Sequence, residues 1–170
     1  GLAAVQVAKQ LGATVIATGG SKAKLDVVGQ YGADHLVSYE NPRFRDEVKA
    51  LTGGVDVVFD PVGGDVFDES MRCLNWGARL VIVGFTGGRP ALARTNHVLI
   101  KGASVVGIRA GEFSRRNPEQ GRANLAVLLD WAEQGKIRSH ISHRFKMDEV
   151  VAAMETIRAR EVIGRVVMTP

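Results

Sequence analysis

A single cysteine, Cys73, among 170 residues excludes an intrachain disulfide and a thiolate metal cluster. It falls in a helix-like stretch that suits a buried thiol, and such usage fits a cytoplasmic location. No apolar run approaches the length of a membrane span, and no basic lead precedes an apolar stretch at the N-terminus, so neither a transmembrane helix nor a signal peptide is expected. Histidine is also sparse. His35, His97, His140 and His143 are scattered, and only the last two are close in sequence. Ile141, Arg138 and Arg144 around that pair argue against zinc, so no metal site is expected. Acidic residues are slightly short: 18 Asp and Glu against 22 Lys and Arg leave a net charge of +4, with a pI of about 9.5. Nucleic-acid binding would require those cations to cluster. Instead Arg43, Arg45, Lys49, Arg158 and Arg160 share helical faces with Asp46, Glu47 and Glu155, so a solvated mixed surface is expected and no nucleic-acid partner.

What is present is an ordinary globular composition, 45% hydrophobic and 24% charged, in a chain the length of one domain. Leu2, Val5, Ala8 and Leu11 keep helical spacing up to Gly12. Short apolar runs then alternate with helical stretches: strands over 14–18, 35–39, 55–60, 79–84 and 104–109, and helices over 22–31, 43–51, 66–74 and 96–100. Parallel βαβ units follow from that order, and the unbroken β-branched runs predict a sheet covered on both faces. Two amphipathic helices come next, 119–134 with Leu125, Leu128, Leu129 and Trp131 inward, and 147–160 with Val150, Val151, Met154 and Ile157 inward. A last strand runs over 164–169. The fold class is α/β, a Rossmann-like, doubly wound, mostly parallel sheet in one domain.

Such sheets hold ligands at the carboxyl ends of their strands. Residues 1–12 read as the helix after a phosphate-binding turn, Gly1 being the last glycine of that turn. The strand and loop before it are expected to lie outside this chain. Strand 14–18 ends without an acid, and Ser21, Lys22 and Lys24 follow at once; this favours a cofactor carrying a 2′-phosphate, NADPH, over NADH, the alternative being a merely solvated helix start. Tyr39 ends the next strand on the same edge. It is either a second phosphate contact or a rim tyrosine packed on Tyr31 or Pro42. Gly63 in Val62-Gly-Gly64 and Gly84 in Val83-Gly-Phe-Thr86 let a ligand approach the backbone.

Together with Leu99-Ile-Lys-Gly-Ala-Ser-Val-Val-Gly107, Gly135-Lys-Ile-Arg138 and Gly164-Arg-Val-Val-Met-Thr-Pro170, these segments resemble the medium-chain dehydrogenase/reductase superfamily, in particular its zinc-free quinone oxidoreductase branch. The resemblance covers essentially the whole chain. It implies reduction of a quinone or another activated double bond by direct hydride transfer from NADPH, without metal. It further implies that Lys24 and Tyr39, with Ser21 adjacent, contact the adenosine 2′-phosphate, that Phe85 and Thr86 meet the nicotinamide carboxamide, and that Arg160 closes over the cofactor, a role for which Arg165 competes. Strand 104–109 resembles an edge through which two subunits extend one sheet, implying a homodimer. The superfamily's substrate-binding, GroES-like domain is not represented, and no catalytic acid is assigned. Two alternatives stand beside this reading: an enoyl reductase module of a fatty-acid or polyketide synthase, and a non-catalytic nucleotide- or RNA-binding protein on the same scaffold.

Overall fold

The computed structural model describes residues 1–170 and contains seven strands and eight α-helices. In chain order they are α1 (Leu2–Gln10), β1 (Ile16–Gly19), α2 (Lys22–Gly29), β2 (His35–Ser38), α3 (Phe44–Thr52), β3 (Val55–Asp60), α4 (Gly64–Arg72), β4 (Leu74–Ile82), α5 (Thr95–Lys101), β5 (Ser104–Gly107), α6 (Ala110–Arg116), α7 (Pro118–Glu133), β6 (Ile141–Lys146), α8 (Val150–Arg158) and β7 (Arg165–Thr169). Local chemistry sets the boundaries. Ser21 is extended and its Oγ caps α2 by accepting the Lys24 N–H. Gly53 ends α3 in the left-handed region, and Pro118 opens α7, where its missing N–H costs nothing. One 3-10 turn, Met147–Glu149, leads into α8, and Glu149 Oε2 accepts the Lys146 N–H at 2.7 Å.

Every strand pair is parallel, but the strands form three sheets: β1 with β2, the trio β3-β4-β5, and β6 with β7. No ladder joins β1 to β3. The halves are held together by packing instead. Val37, Phe44, Val48 and Cys73 are buried in one cluster between β2, α3 and the end of α4, with Ile16, Tyr39, Val55 and Val66 against it. Phe67, Met71, Leu74, Ala78, Leu80 and Ala103 form a second cluster under β3-β4-β5. Arg45 of α3 adds a half-buried ion pair to Glu69 of α4 at 2.9 Å.

Two expectations need correction. Val57 and Phe59 on one face of β3 are 63% and 50% exposed, so the sheet is covered on one face there and not on both. Likewise Leu125, Leu128 and Leu129 of α7 and Val150, Val151, Met154 and Ile157 of α8 are exposed, and only Ala153 of those two helices is buried. Amphipathic spacing identifies which face is apolar; it does not supply the surface that covers it. β4 also begins five residues before the expected 79–84 strand and stops at Ile82, and α6 and β6 were not expected as elements.

Candidate functional site

Register decides which loops meet at the carboxyl ends of parallel strands. Gly19 at the end of β1 is level with Ser38 at the end of β2. In the other sheet Asp60 and Ile82 are level, and Ile82 in turn faces Gly107.

On the first edge, the Tyr39 N–H donates to the Gly19 carbonyl at 3.2 Å and brings the phenol over Gly20. The Tyr39 ring leans on the Val37 cluster, while Tyr31 goes elsewhere: its hydroxyl meets His140 Nδ1 at 3.0 Å and Arg138 lies over its ring. Lys22 is diverted into a surface pair with Asp26 at 2.8 Å. Lys24 is half-buried, and its Nζ donates to the Arg160 carbonyl at 2.7 Å. Ser21, Gly20, Lys24 and Tyr39 thus gather around the start of α2.

On the second edge, Asp60 stitches the loop after β3. It is 2% exposed, and its Oδ1 accepts the N–H groups of Val62 at 2.8 Å and Gly63 at 3.0 Å, leaving Oδ2 buried with no partner. Gly63 is buried at φ 76°, and a Cβ there would lie 2.9 Å from the Arg89 carbonyl, so only glycine fits the close approach of the two loops. Thr86 donates from both its N–H and its Oγ1 to the Pro61 carbonyl, at 2.9 and 3.0 Å. Gly84 is half-buried behind it, and Phe85 is 50% exposed.

The two edges are connected through Arg160, whose Nη2 donates to the Thr86 carbonyl at 3.4 Å while its own carbonyl holds Lys24. Arg165 is elsewhere: it opens β7 opposite Ile141, and its N–H donates to the His140 carbonyl at 2.8 Å. No hydrogen bond ties Gly1 to the Arg160 bridge. Lys24, Arg160 and Thr86 are therefore brought together; Ser21 and Tyr39 adjoin them through Lys24 and Gly20; Gly63, Gly84 and Phe85 line the second edge.

This arrangement offers cations, a phenol, a hydroxyl and backbone groups, with no acid at the end of β1. It can hold a phosphate. It presents no poised nucleophile, because Cys73 is buried and its thiol is pushed up by desolvation. Two of the four histidines are engaged separately, His140 with Tyr31 and His143 with Ser142 Oγ at 2.9 Å. No group of three His, Cys, Asp or Glu side chains is arranged to hold a metal ion, and no helix is long and apolar enough to cross a membrane. Two features escape sequence reasoning. The loop-stitching role of Asp60 had a usable signal, an acid placed directly before Pro-Val-Gly-Gly. The bridging backbone of Arg160 had none.

An α/β chain of parallel βαβ units with glycine-bearing turns at the carboxyl ends of its strands belongs to the dinucleotide-binding class of folds. The zinc-binding dehydrogenase family matches residues 1–134, and the chain belongs to that family, within the medium-chain dehydrogenase/reductase superfamily, as its cofactor-binding region. Quinone oxidoreductase-like protein 2 of Bos taurus is 36% identical over 172 residues, covering 99% of this chain and 49% of the relative. The 2-haloacrylate reductase of a Burkholderia species is 28% identical over 166 residues, covering 96% of this chain and 50% of the enzyme. Among solved structures, a mycobacterial protein complexed with NADPH superposes with a TM-score of 0.89 at 27% identity, covering all of this chain and 53% of that one. The chain spans about half the length of the curated relatives it matches.

Proposed function

We propose that this chain is the dinucleotide-binding part of a cytoplasmic oxidoreductase that reduces an activated double bond, a quinone or an enone, with NADPH as reductant. One observation carries the reading: Lys24, beside the Ser21 cap and the Tyr39 phenol, is joined through Arg160 to Thr86, so the start of α2 and the strand-end loop after β4 are held to one another at the carboxyl edge of the strands. The residues fit the cofactor. The start of α2 presents a cation and a phenol where an acid would repel a 2′-phosphate, and Gly20 leaves the room in which the Tyr39 phenol sits. The names of the relatives, a quinone oxidoreductase-like protein and a haloacrylate reductase, agree in pointing to conjugated acceptors.

When bound, the nicotinamide supplies the hydride. The protein's own part is to bind and orient. Lys24 and Tyr39 would hold the 2′-phosphate, with Ser21 keeping α2 aligned beside it. Gly63 and Gly84 would admit the cofactor to the backbone. The Phe85-Thr86 turn, pinned to Pro61, would set the carboxamide, and Gly1 at the start of α1 would face the pyrophosphate. No residue of this chain is assigned as proton donor and none as a zinc ligand. The substrate-binding, GroES-like domain is proposed to lie outside these residues, and the free edge of β5 to pair with a second copy.

The test is calorimetric titration of the chain with NADPH, NADH and 2′,5′-ADP, before and after Lys24→Glu. Loss of about tenfold or more for the two 2′-phosphates, with NADH little changed, is the expected result. Equal loss for NADPH and NADH would sink the phosphate assignment, and quinone reduction by the 170 residues alone would sink the view that the catalytic half lies elsewhere.

A further inference from the structure

We propose that the turn after α8 is a latch that couples the start of α2 to the loop after β4, with Arg160 as its positioning residue; the cofactor side of this inference rests on the function proposed above. Arg160 is the one non-glycine residue with positive φ, at 60°. It terminates α8 with a paired set of bonds: its N–H donates to the Ile157 carbonyl at 3.1 Å and the Glu161 N–H donates to the Thr156 carbonyl at 3.3 Å. That is the left-handed helix ending in which glycine is the usual occupant, and α3 and α5 of this chain do end on left-handed glycines, Gly53 and Gly102. A long cation held in that conformation is strained, and such strain persists where the surroundings over-determine it.

Two contacts do so here. The left-handed turn directs the Arg160 carbonyl to Lys24 Nζ at 2.7 Å, 136 residues away in sequence, and its guanidinium reaches the Thr86 carbonyl, 74 residues away. Lys24 follows β1 and Thr86 follows β4, in sheets that share no ladder. Backbone and side chain of one residue therefore connect loops that the sheets leave separate. An ammonium has three donors, so Lys24 keeps two for a phosphate while the carbonyl holds its stem in place. A phosphate fixing Lys24 would fix the turn, and the turn would fix the loop at Thr86. Glycine would relieve the strain and keep the carbonyl, but would cut the connection to Thr86.

The latch is tested first in the free chain, by amide hydrogen exchange of residues 84–88 and 159–163 in Lys24→Met and Arg160→Gly variants. Lys24→Met should speed exchange in both segments by about fivefold, the loss of roughly one hydrogen bond's stabilisation. Arg160→Gly should speed it in 84–88 alone. If Lys24→Met leaves 84–88 unchanged, the latch is overturned, whatever the chain binds. The second arm adds 2′,5′-ADP, which should slow exchange at 84–88 in the unsubstituted chain and have no such effect in Arg160→Gly, a difference that a merely structural role for Arg160 would not produce. Transmission that survives Arg160→Gly overturns the coupling. Failure of 2′,5′-ADP to bind, with the free-chain result intact, overturns the phosphate reading and leaves the latch standing.

Discussion

Tyr39 stands so close to the backbone of Gly20 that a Cβ on Gly20 would lie 2.9 Å from its Cε2 and 3.1 Å from its Oη. A Cβ at position 20 would fit only if the ring moved, and the space that glycine leaves is what the phenol occupies at the start of α2. Gly20→Ala should turn the ring away, costing about 1 kcal/mol of stability as overpacking and weakening 2′,5′-ADP binding about tenfold. In a Tyr39→Ala background the same change should cost almost nothing. Additive effects in that double-mutant cycle, read by urea unfolding and by titration, would show that the two residues do not act through each other.

Asp60 satisfies two loop N–H groups with one oxygen and leaves the other oxygen buried and unpaired. Removing the side chain strands both amides in a buried loop. Asp60→Ala should therefore destabilise the chain by about 2–3 kcal/mol, and Asp60→Asn, which retains an acceptor for the amides, by about 1 kcal/mol. Equal losses for the two variants in urea unfolding would mean that the carboxylate matters for something other than the loop.

The Cys73 thiol, 3% exposed, donates to the Ser70 carbonyl at 3.3 Å, and burial pushes its pKa above the ordinary value. Native chain should react with iodoacetamide at least on the order of a hundredfold more slowly than denatured chain, equivalent to an opening free energy of about 2.7 kcal/mol. The sign of the pH dependence follows. The folded state holds its proton where the unfolded thiol has lost it, so stability should fall as pH rises above about 8.5, the unfolded value. Cys73→Ala should flatten that alkaline limb; an unchanged limb would assign it to another group.

The alternation of strands and helices was legible because Val55-Asp-Val-Val-Phe-Asp60 and Leu80-Val-Ile82 are β-branched runs bounded by glycines, and the resulting βαβ order is what the structure shows. β6 was not, since in Ile141-Ser-His-Arg-Phe-Lys146 three successive polar residues separate the two apolar ones, and no apolar or β-branched run marks a strand. The inward faces of α7 and α8 were misread for a different reason. Leu125, Leu129, Val151 and Met154 have the spacing of core residues, but packing depends on what a face meets, and within these residues it meets little. The strand ends were readable, and Ser21, Lys24 and Tyr39 gather around the start of α2. The role of Arg160 was not readable, because its effect depends on a left-handed backbone that nothing in an arginine's chemistry announces.

Gln6 makes the most far-reaching polar contact away from Lys24 and Arg160. It is 8% exposed on α1, and its carboxamide pairs with the backbone of Arg138 as another strand would: Nε2 donates to the Arg138 carbonyl at 2.9 Å, and Oε1 accepts the Arg138 N–H at 2.7 Å. Arg138 in turn lies over the Tyr31 ring, 5.0 Å from guanidinium carbon to centroid, and the Tyr31 hydroxyl meets His140. One amide thus fastens the segment leading into β6 onto α1 and the end of α2. Gln6→Leu fills the same volume but leaves the part-buried N–H and carbonyl of Arg138 without these partners, at about 1–2 kcal/mol for the pair. Gln6→Glu keeps the acceptor and loses the donor, so it should cost about half as much. The measurement is urea unfolding, with hydrogen exchange at residues 138–141 to localise the effect. A stable Gln6→Leu chain with unchanged exchange there would show that packing of α1, and not this amide pair, holds the segment in place.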